Sequence, residues 1–293
     1  MLHSARDLGN NLTEIVIKEG VLDLDKTFNC GQCFRWDKLG DGTWRGVVDG
    51  DLWMIKRVHS STLGHDTFLI NRRLSELPKV MEYFDLKNDY SRLLERNLSK
   101  FEIYAVDFGS GIRILNQDIW ETVVSFIISQ RNNIPKIKNS IFRLCEKFGT
   151  ENEYIIRGNI IKYYSFPTPE QIMLAGIDGL NTCGLGYRSE YVLGIAEEFY
   201  KNEREFLALA SNVYSGNTVV NYLIQYRGIG PKVANCIALF GYNKLDMFPI
   251  DVWIQRIIDR YYNGSLDHTR FGELAGLMQQ YLFYYIKFNE QES

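Results

Sequence analysis

Hydrophobic and polar positions divide the chain into two unlike parts. Up to about residue 114 the pattern is β-like. In TEIVIKEG, Ile15 and Ile17 fall on one side of an extended segment, the period-two signature of a half-buried strand. GTWRGVV and LWMIKRV flank Asp49-Gly50, a dipeptide suited to a tight hairpin turn. With NCGQCFRW ahead of them, these strands predict an antiparallel sheet with one face covered, and SELPKVMEYF and DYSRLLERNL read as short helices returning over it. From about residue 115 the period becomes helical. Trp120, Val123, Val124 and Ile127 fall at i, i+3, i+4 and i+7, a core-facing stripe. Further helices are expected near 134–148, 168–175, 188–201, 217–226, 231–241, 252–262 and 267–288, several joined by short glycine-containing links. The fold class is therefore α+β: an antiparallel sheet domain with short helices over 1–114, then a mainly α-helical domain over 115–293.

Composition changes this picture little. A chain of 293 residues has room for about two domains at roughly 150 residues each. Its 45% hydrophobic and 24% charged residues are ordinary for a globular protein. MLHSARDLGNNLTE has no apolar core followed by a small-residue cleavage site, so no signal peptide is expected. No apolar run approaches the roughly 20 residues of a membrane helix. Five scattered cysteines (Cys30, Cys33, Cys145, Cys183, Cys236) fit a reducing cytoplasm better than a disulfide framework. A net charge of −3 does not advertise a polyanionic partner, yet a local basic surface can bind DNA while the remainder is acidic.

Candidate chemistry enters at RGIGPKVANC, residues 227–236. Gly228 and Gly230 permit a hairpin whose amides point outward, because neither carries a Cβ. Pro231 suits the first helical position, where its missing N–H would be unpaired anyway. Such a helix N-terminus, rich in free N–H donors, suits a phosphate oxygen. With the helix before it, the turn makes a helix-hairpin-helix, a unit that grips the DNA backbone without reading sequence. Lys232 then stands at the wrong end of an apolar helix, where the dipole and its neighbours both oppose a positive charge. A free amine attacks carbon centres and forms Schiff bases. The blander reading is a phosphate-binding or snorkelling lysine, and alone it is the better one for so short a motif. FPIDVW shifts the balance. Asp251 directly precedes the helix 252–262 as a natural N-cap. Two helix N-termini brought into one cleft set a lysine nucleophile against a buried anion, which is what displacement at a sugar anomeric carbon requires.

At these residues the sequence resembles the endonuclease III-like DNA glycosylase superfamily, in which a helix-hairpin-helix, a Gly/Pro-rich loop and a following Asp recur. A lysine after the hairpin marks its bifunctional glycosylase/lyase members. NCGQCFRW, SFIISQRNNIPKI, RLCEKFG, CGLGYRSEYV, GIGPKVANCIALF, FPIDVW and AGLMQQYLF, in that order over residues 28–283, resemble the 8-oxoguanine DNA glycosylases more narrowly. The resemblance implies a TATA-binding-protein-like sheet in the first part. It also implies a monomeric base-excision repair enzyme that flips 8-oxoguanine out of duplex DNA, acts through Lys232 and Asp251, and nicks the strand by β-elimination. The carbonyl of Gly31 would accept a hydrogen bond from N7–H of the oxidised base, a proton that normal guanine lacks. Gln279 would read the Watson–Crick edge, Phe283 would stack on the base, and Cys236 would cover its other face. Tyr187 would wedge into the duplex while Arg188 contacts the orphaned partner, and Asn132 lies in the segment that fills the gap. Gly228 and Gly230 would hold a phosphate. Such an enzyme works in the cytoplasm, on the nucleoid in a bacterium or in the nucleus of a eukaryote.

Three positions depart from the familiar eukaryotic pattern. Arg131 stands where that pattern has an asparagine, and Lys136 where it has a second cytosine-reading arginine. Trp253 replaces a histidine that contacts phosphate in relatives. Lysine cannot make arginine's planar bidentate contact, so the preference for cytosine opposite the lesion is expected to be weak. No cofactor or metal is expected: Cys30 and Cys33 lack a zinc-spaced partner pair, and GIGPK is not a phosphate-cradling G-x-x-x-x-G-K-[ST] loop. Some relatives hold a monovalent cation on hairpin carbonyls, which the residues here permit. Two rivals stay open at this point. One is a same-fold glycosylase for alkylated or other oxidised purines, disfavoured by Lys232. The other is a non-catalytic helix-hairpin-helix DNA-binding protein, which leaves the base-pocket residues unexplained.

Overall fold

A computed structural model describes residues 1–59, 63–156 and 158–289. Residues 60–62, 157 and 290–293, which belong to the two expected segments, lie outside the described residues. The first part is a six-stranded antiparallel sheet. Its strands are β1 (Leu2–Asp7), β2 (Thr13–Lys18), β3 (Trp36–Lys38), β4 (Trp44–Val48), β5 (Asp51–Val58) and β6 (His65–Ile70), in the order β1-β2-β6-β5-β4-β3. The expected hairpin is present: Val48 pairs with Asp51, and Asp49 and Gly50 both take positive φ (49° and 81°), the backbone of a type I′ turn. Strands β1 and β6 were not expected. LHSARD is largely exposed at the sheet edge and carries no apolar alternation to betray it.

One sheet face is covered by α1 (Leu24–Asn29) and α2 (Leu77–Tyr83). Phe28 stacks on Trp36 at 4.1 Å, and the Trp36 indole N–H donates to the Tyr83 hydroxyl at 2.7 Å. These rings close one apolar core with Ile15, Ile17, Trp53, Ile55, Phe68 and Ile70. The expected helix in DYSRLLERNL is a 3₁₀ turn at Tyr90–Glu95. α3 (Lys100–Gly109) follows; it packs against the last helix of the chain, and its Glu102, fully buried, accepts from the Tyr262 hydroxyl at 2.6 Å and from Arg270.

The second part is built around α4 (Ile119–Ser129). The expected stripe of Trp120, Val123, Val124 and Ile127 is buried, but so are Phe126 and Ile128. Neighbours surround α4 on more than one face, so it is a core helix rather than an amphipathic one. Around it lie α5 (Ile134–Phe148), α6 (Pro169–Asn181), α7 (Arg188–Lys201), α8 (Glu203–Ala208), α9 (Gly216–Leu223), α10 (Pro231–Phe240), α11 (Val252–Tyr261) and α12 (Ala275–Asn289). The mainly helical part also contains a β-hairpin, β7 (Glu151–Ile156) with β8 (Asn159–Tyr164). The single helix expected over 267–288 is a 3₁₀ segment, His268–Leu274, that breaks at Gly272 before α12 begins. Among the described residues, no helix is long and apolar enough to cross a membrane.

Candidate active site and DNA interface

The start of α10 is capped by the backbone of Gly230, with Pro231 at the first helical position, as its fixed φ and absent N–H favour. Lys232 follows half-buried, its Nζ 5.7 Å from the centre of the Phe126 ring. One turn on, Cys236 is buried on the same face. Asp251 caps α11: its Oδ1 accepts from the backbone N–H of Trp253 at 3.0 Å and of Ile254 at 2.9 Å. Burial pushes the Cys236 thiol above the ordinary thiol range; Lys232 opposes that rise and Asp251 adds to it. The thiol therefore stays neutral, an apolar surface beside an amine and a carboxylate.

Gly31 enters this site from the sheet side. Its φ is +84°, and a Cβ there would lie 3.4 Å from Phe283 Cε1 and 3.9 Å from Ile134 Cδ1. Only glycine takes this backbone readily, and its bare face lies against the Phe283 ring. The turn is anchored by Gln32, fully buried, whose Nε2 donates to the carbonyls of Thr27 (3.0 Å) and Arg113 (2.8 Å) while its Oε1 accepts from Leu115 N–H at 2.8 Å. Burial raises the Cys30 thiol to about 12; Cys33 is raised in the same way. Both cysteines, which flank the Gly31 turn in sequence, are buried.

On α12, Gln279 and Phe283 are joined by Lys287, the next residue in the same i,i+4 series. Lys287 Nζ lies 5.4 Å from the Phe283 ring centre and 3.4 Å from the Asn29 carbonyl oxygen. Burial pulls its ammonium below the ordinary lysine range, opposed by Cys30 and Asp251. Lys287 therefore lies beside the Phe283 ring and within the electrostatic reach of Asp251. It was missed in the sequence, although the four-residue spacing was there to be extended. Gln280, also missed, donates from Nε2 to Gln279 Oε1 at 2.7 Å.

The remaining expected residues lie at the start of α7, between α4 and α5 or in the first turn of α5, and in the first turn of α11. Tyr187 is half-exposed ahead of α7, packed edge-on to Tyr191 at 5.8 Å. Arg131 and Lys136 are exposed, Arg131 with φ 47°. Asn132 donates to the Ile128 carbonyl at 3.3 Å. Arg188 is buried, and its guanidinium is engaged by backbone carbonyls: Leu185 at 3.1 Å, Gln130 at 2.9 Å and Arg131 at 3.3 Å. Gln130, unforeseen, ties this segment to the hairpin by donating to the Gly228 carbonyl at 2.8 Å. Trp253 is half-buried, with the Arg256 guanidinium 4.6 Å from its ring centre.

The hairpin glycines differ in what they tolerate. Gly228 has φ +91°, and a Cβ would meet the Tyr191 side chain at 2.5–2.8 Å. Gly230 has an ordinary φ of −86°, and a Cβ there meets nothing within 4 Å. Gly228→Ala is expected to lower the melting temperature by roughly 3–8 °C, from left-handed backbone strain plus the clash. Gly230→Ala is expected to leave it unchanged while weakening duplex binding, its methyl standing where a phosphate would approach. Thermal melts paired with duplex titrations check both.

Residues 14–123 match the family model of the 8-oxoguanine DNA glycosylase N-terminal domain, and residues 124–270 match that of the HhH-GPD superfamily base excision DNA repair proteins. An N-glycosylase/DNA lyase of Saccharomyces cerevisiae is 32% identical over 287 residues, covering 89% of this chain and 74% of the yeast protein. The chain belongs to the N-glycosylase/DNA lyase family. Two solved structures of such enzymes superpose along nearly the whole length. MBOgg1 in complex with a low affinity DNA ligand has a TM-score of 0.85 at 34% identity, covering 99% of both chains. The Clostridium acetobutylicum 8-oxoguanine glycosylase/lyase, bound to double-stranded DNA with cytosine opposite 8-oxoG, has a TM-score of 0.83 at 31% identity, covering 99% and 98%. Glycosylases of this family need no cofactor. Among the described residues of this glycosylase/lyase, no group of three or more His, Cys, Asp or Glu could hold a metal ion.

Proposed function

We propose that this base-excision glycosylase/lyase releases 8-oxoguanine from duplex DNA with Lys232 as nucleophile and Asp251 as the stabilising anion. The observation that supports the reading is that Lys232, in the first turn of α10, and Asp251, the cap of α11, both act on the buried Cys236 thiol, while the bare face of Gly31 lies against Phe283. The base is flipped between Phe283 and Cys236, with its N7–H on the Gly31 carbonyl and its Watson–Crick edge on Gln279. Normal guanine has no proton at N7, so the carbonyl would face an acceptor, an unpaired contact worth about 1–3 kcal/mol. Lys232 Nζ forms a bond to C1′ as the C1′–N9 bond breaks and the base departs with the electron pair. The Asp251 carboxylate stabilises the oxocarbenium-like charge. The amine loses a proton and the sugar ring opens to the imine. Removal of a C2′ proton then expels the 3′ phosphate by β-elimination.

The approach surface supports a weak choice of opposing base. Arg131 and Lys136 are exposed and lack the geometry of a paired cytosine reader, while Arg188 must release backbone carbonyls to reach an orphaned base. A single bidentate contact supplies about 1–3 kcal/mol of discrimination. Base release from duplexes pairing the lesion with each of the four bases is therefore expected to vary by less than about tenfold. Cytosine selectivity on the order of 100-fold or more would overturn this reading of the approach surface. Assaying the same panel with and without strand nicking tests the activity itself: no base release from any lesion duplex refutes it. We further propose a division into the sheet domain over 1–114 and the catalytic helical domain over 115–293. Alongside these we propose action as a monomer in the compartment that holds the genome, and a monovalent cation on the hairpin carbonyls, with no chemical step running through it.

A further inference from the structure

Any 8-oxopurine carries the N7–H that the Gly31 carbonyl would accept, oxidised adenine as well as oxidised guanine. The choice between the two falls on the Watson–Crick edge. Guanine presents an acceptor at O6 beside the donor N1–H, whereas adenine presents the reverse, a donor amino group beside the acceptor N1. A glutamine amide has one donor end and one acceptor end on a nearly isosteric frame, and its terminal torsion is broad and two-fold. Turned one way it matches guanine, and turned the other way it matches adenine. A free glutamine selects neither.

Gln279 is not free. Both it and Gln280 are 3% exposed, and Gln280 Nε2 donates to Gln279 Oε1 at 2.7 Å. This is the one side-chain hydrogen bond of Gln280 among the described residues, and its own Oε1 is buried without a partner. An unpaired buried carbonyl is unfavourable, and an apolar side chain of similar size would avoid it. The neighbouring Leu277, Met278 and Leu282 are fully buried, so the setting suits such a residue. Among the described residues nothing accepts from Gln279 Nε2, which leaves that donor for an incoming base. Turning Gln279 alone would set donor against donor. Turning both amides together would replace one unpaired carbonyl by unpaired N–H donors, which buried sites tolerate less well.

We propose that Gln280 is a specificity-determining positioning residue. By donating to Gln279 Oε1 it fixes the orientation of the reading amide, and so favours an oxidised guanine over an oxidised adenine. This rests on the reading of Gln279 as the residue that meets the Watson–Crick edge.

The test compares base release from duplexes carrying 8-oxoguanine with those carrying 8-oxoadenine, in wild type, Gln280→Leu, Gln279→Ala and the double variant, with melting temperatures for each. In Gln280→Leu the ratio of the two kcat/KM values is expected to fall about tenfold, with an unchanged or higher melting temperature. In the Gln279→Ala background the same substitution is expected to change the ratio no further, because the residue acts only through its neighbour. Gln280→Met, the closest apolar shape, replaces the leucine variant if that one does not fold. A ratio lowered in Gln279→Ala but unchanged in Gln280→Leu sinks this proposal alone, as does an effect of Gln280→Leu that persists without the Gln279 amide. An unchanged ratio in Gln279→Ala sinks the base-reading role and this proposal with it.

Discussion

Lys232→Gln is expected to abolish the borohydride-trapped adduct with lesion DNA and to slow base release by about 10³-fold or more, since loss of a nucleophile exceeds the effect of one electrostatic contact. Folding should not suffer. The lysine sits in the first turn of α10, where a positive charge opposes the helix dipole, so a neutral residue there is worth about 0.3–1 kcal/mol in favour of the fold. The loss of the cation over the Phe126 ring offsets part of that gain. The variant should therefore melt within about 2 °C of wild type while being inactive. A trapped adduct of undiminished yield would falsify the assignment of Lys232 as nucleophile.

Asp251 allows its two roles to be separated. The carboxylate caps α11 through one oxygen, which accepts both backbone N–H groups. Asparagine caps a helix about as well as aspartate, so Asp251→Asn should keep the cap and the melting temperature. It removes the anion that faces the developing charge, and base release is expected to fall about 10²–10³-fold. Asp251→Ala loses the cap as well, costing about 0.5–2 kcal/mol of stability. Rates and melts for the two variants together decide the matter. If asparagine retains most of the activity while alanine loses it, then Asp251 serves the helix and not the chemistry.

The sequence carried the local events well. Asp49-Gly50 sets its turn because both residues take positive φ without strain, and Pro231 and Asp251 open helices through their own backbone and side-chain chemistry. Alternation and helical period located the sheet and the helices wherever one face was buried and the other wet. Where burial is uniform, that signal fails. α4 is buried beyond its apolar stripe, so the stripe understates its packing, and the exposed edge strand β1 leaves no pattern at all. The β7–β8 hairpin lies between α5 and α6, in a stretch that was read neither as helix nor as strand.

The site divides in the same way. Lys232 and Asp251 were legible by themselves, because spacing along two successive helices fixes which residues stand at their N-termini, whereas the role of Cys236 came from resemblance. The roles of Gly31, Gln279 and Phe283 came from resemblance, since nothing local says that a turn after α1 will meet the last helix. Only the tertiary structure lays the bare face of Gly31 against Phe283, brings Lys287 within the electrostatic reach of Asp251, and commits the Arg188 guanidinium to backbone carbonyls. Periodicity determines which face of each helix is apolar. Which faces meet, and which polar groups are left to find partners there, is decided by packing across the whole chain.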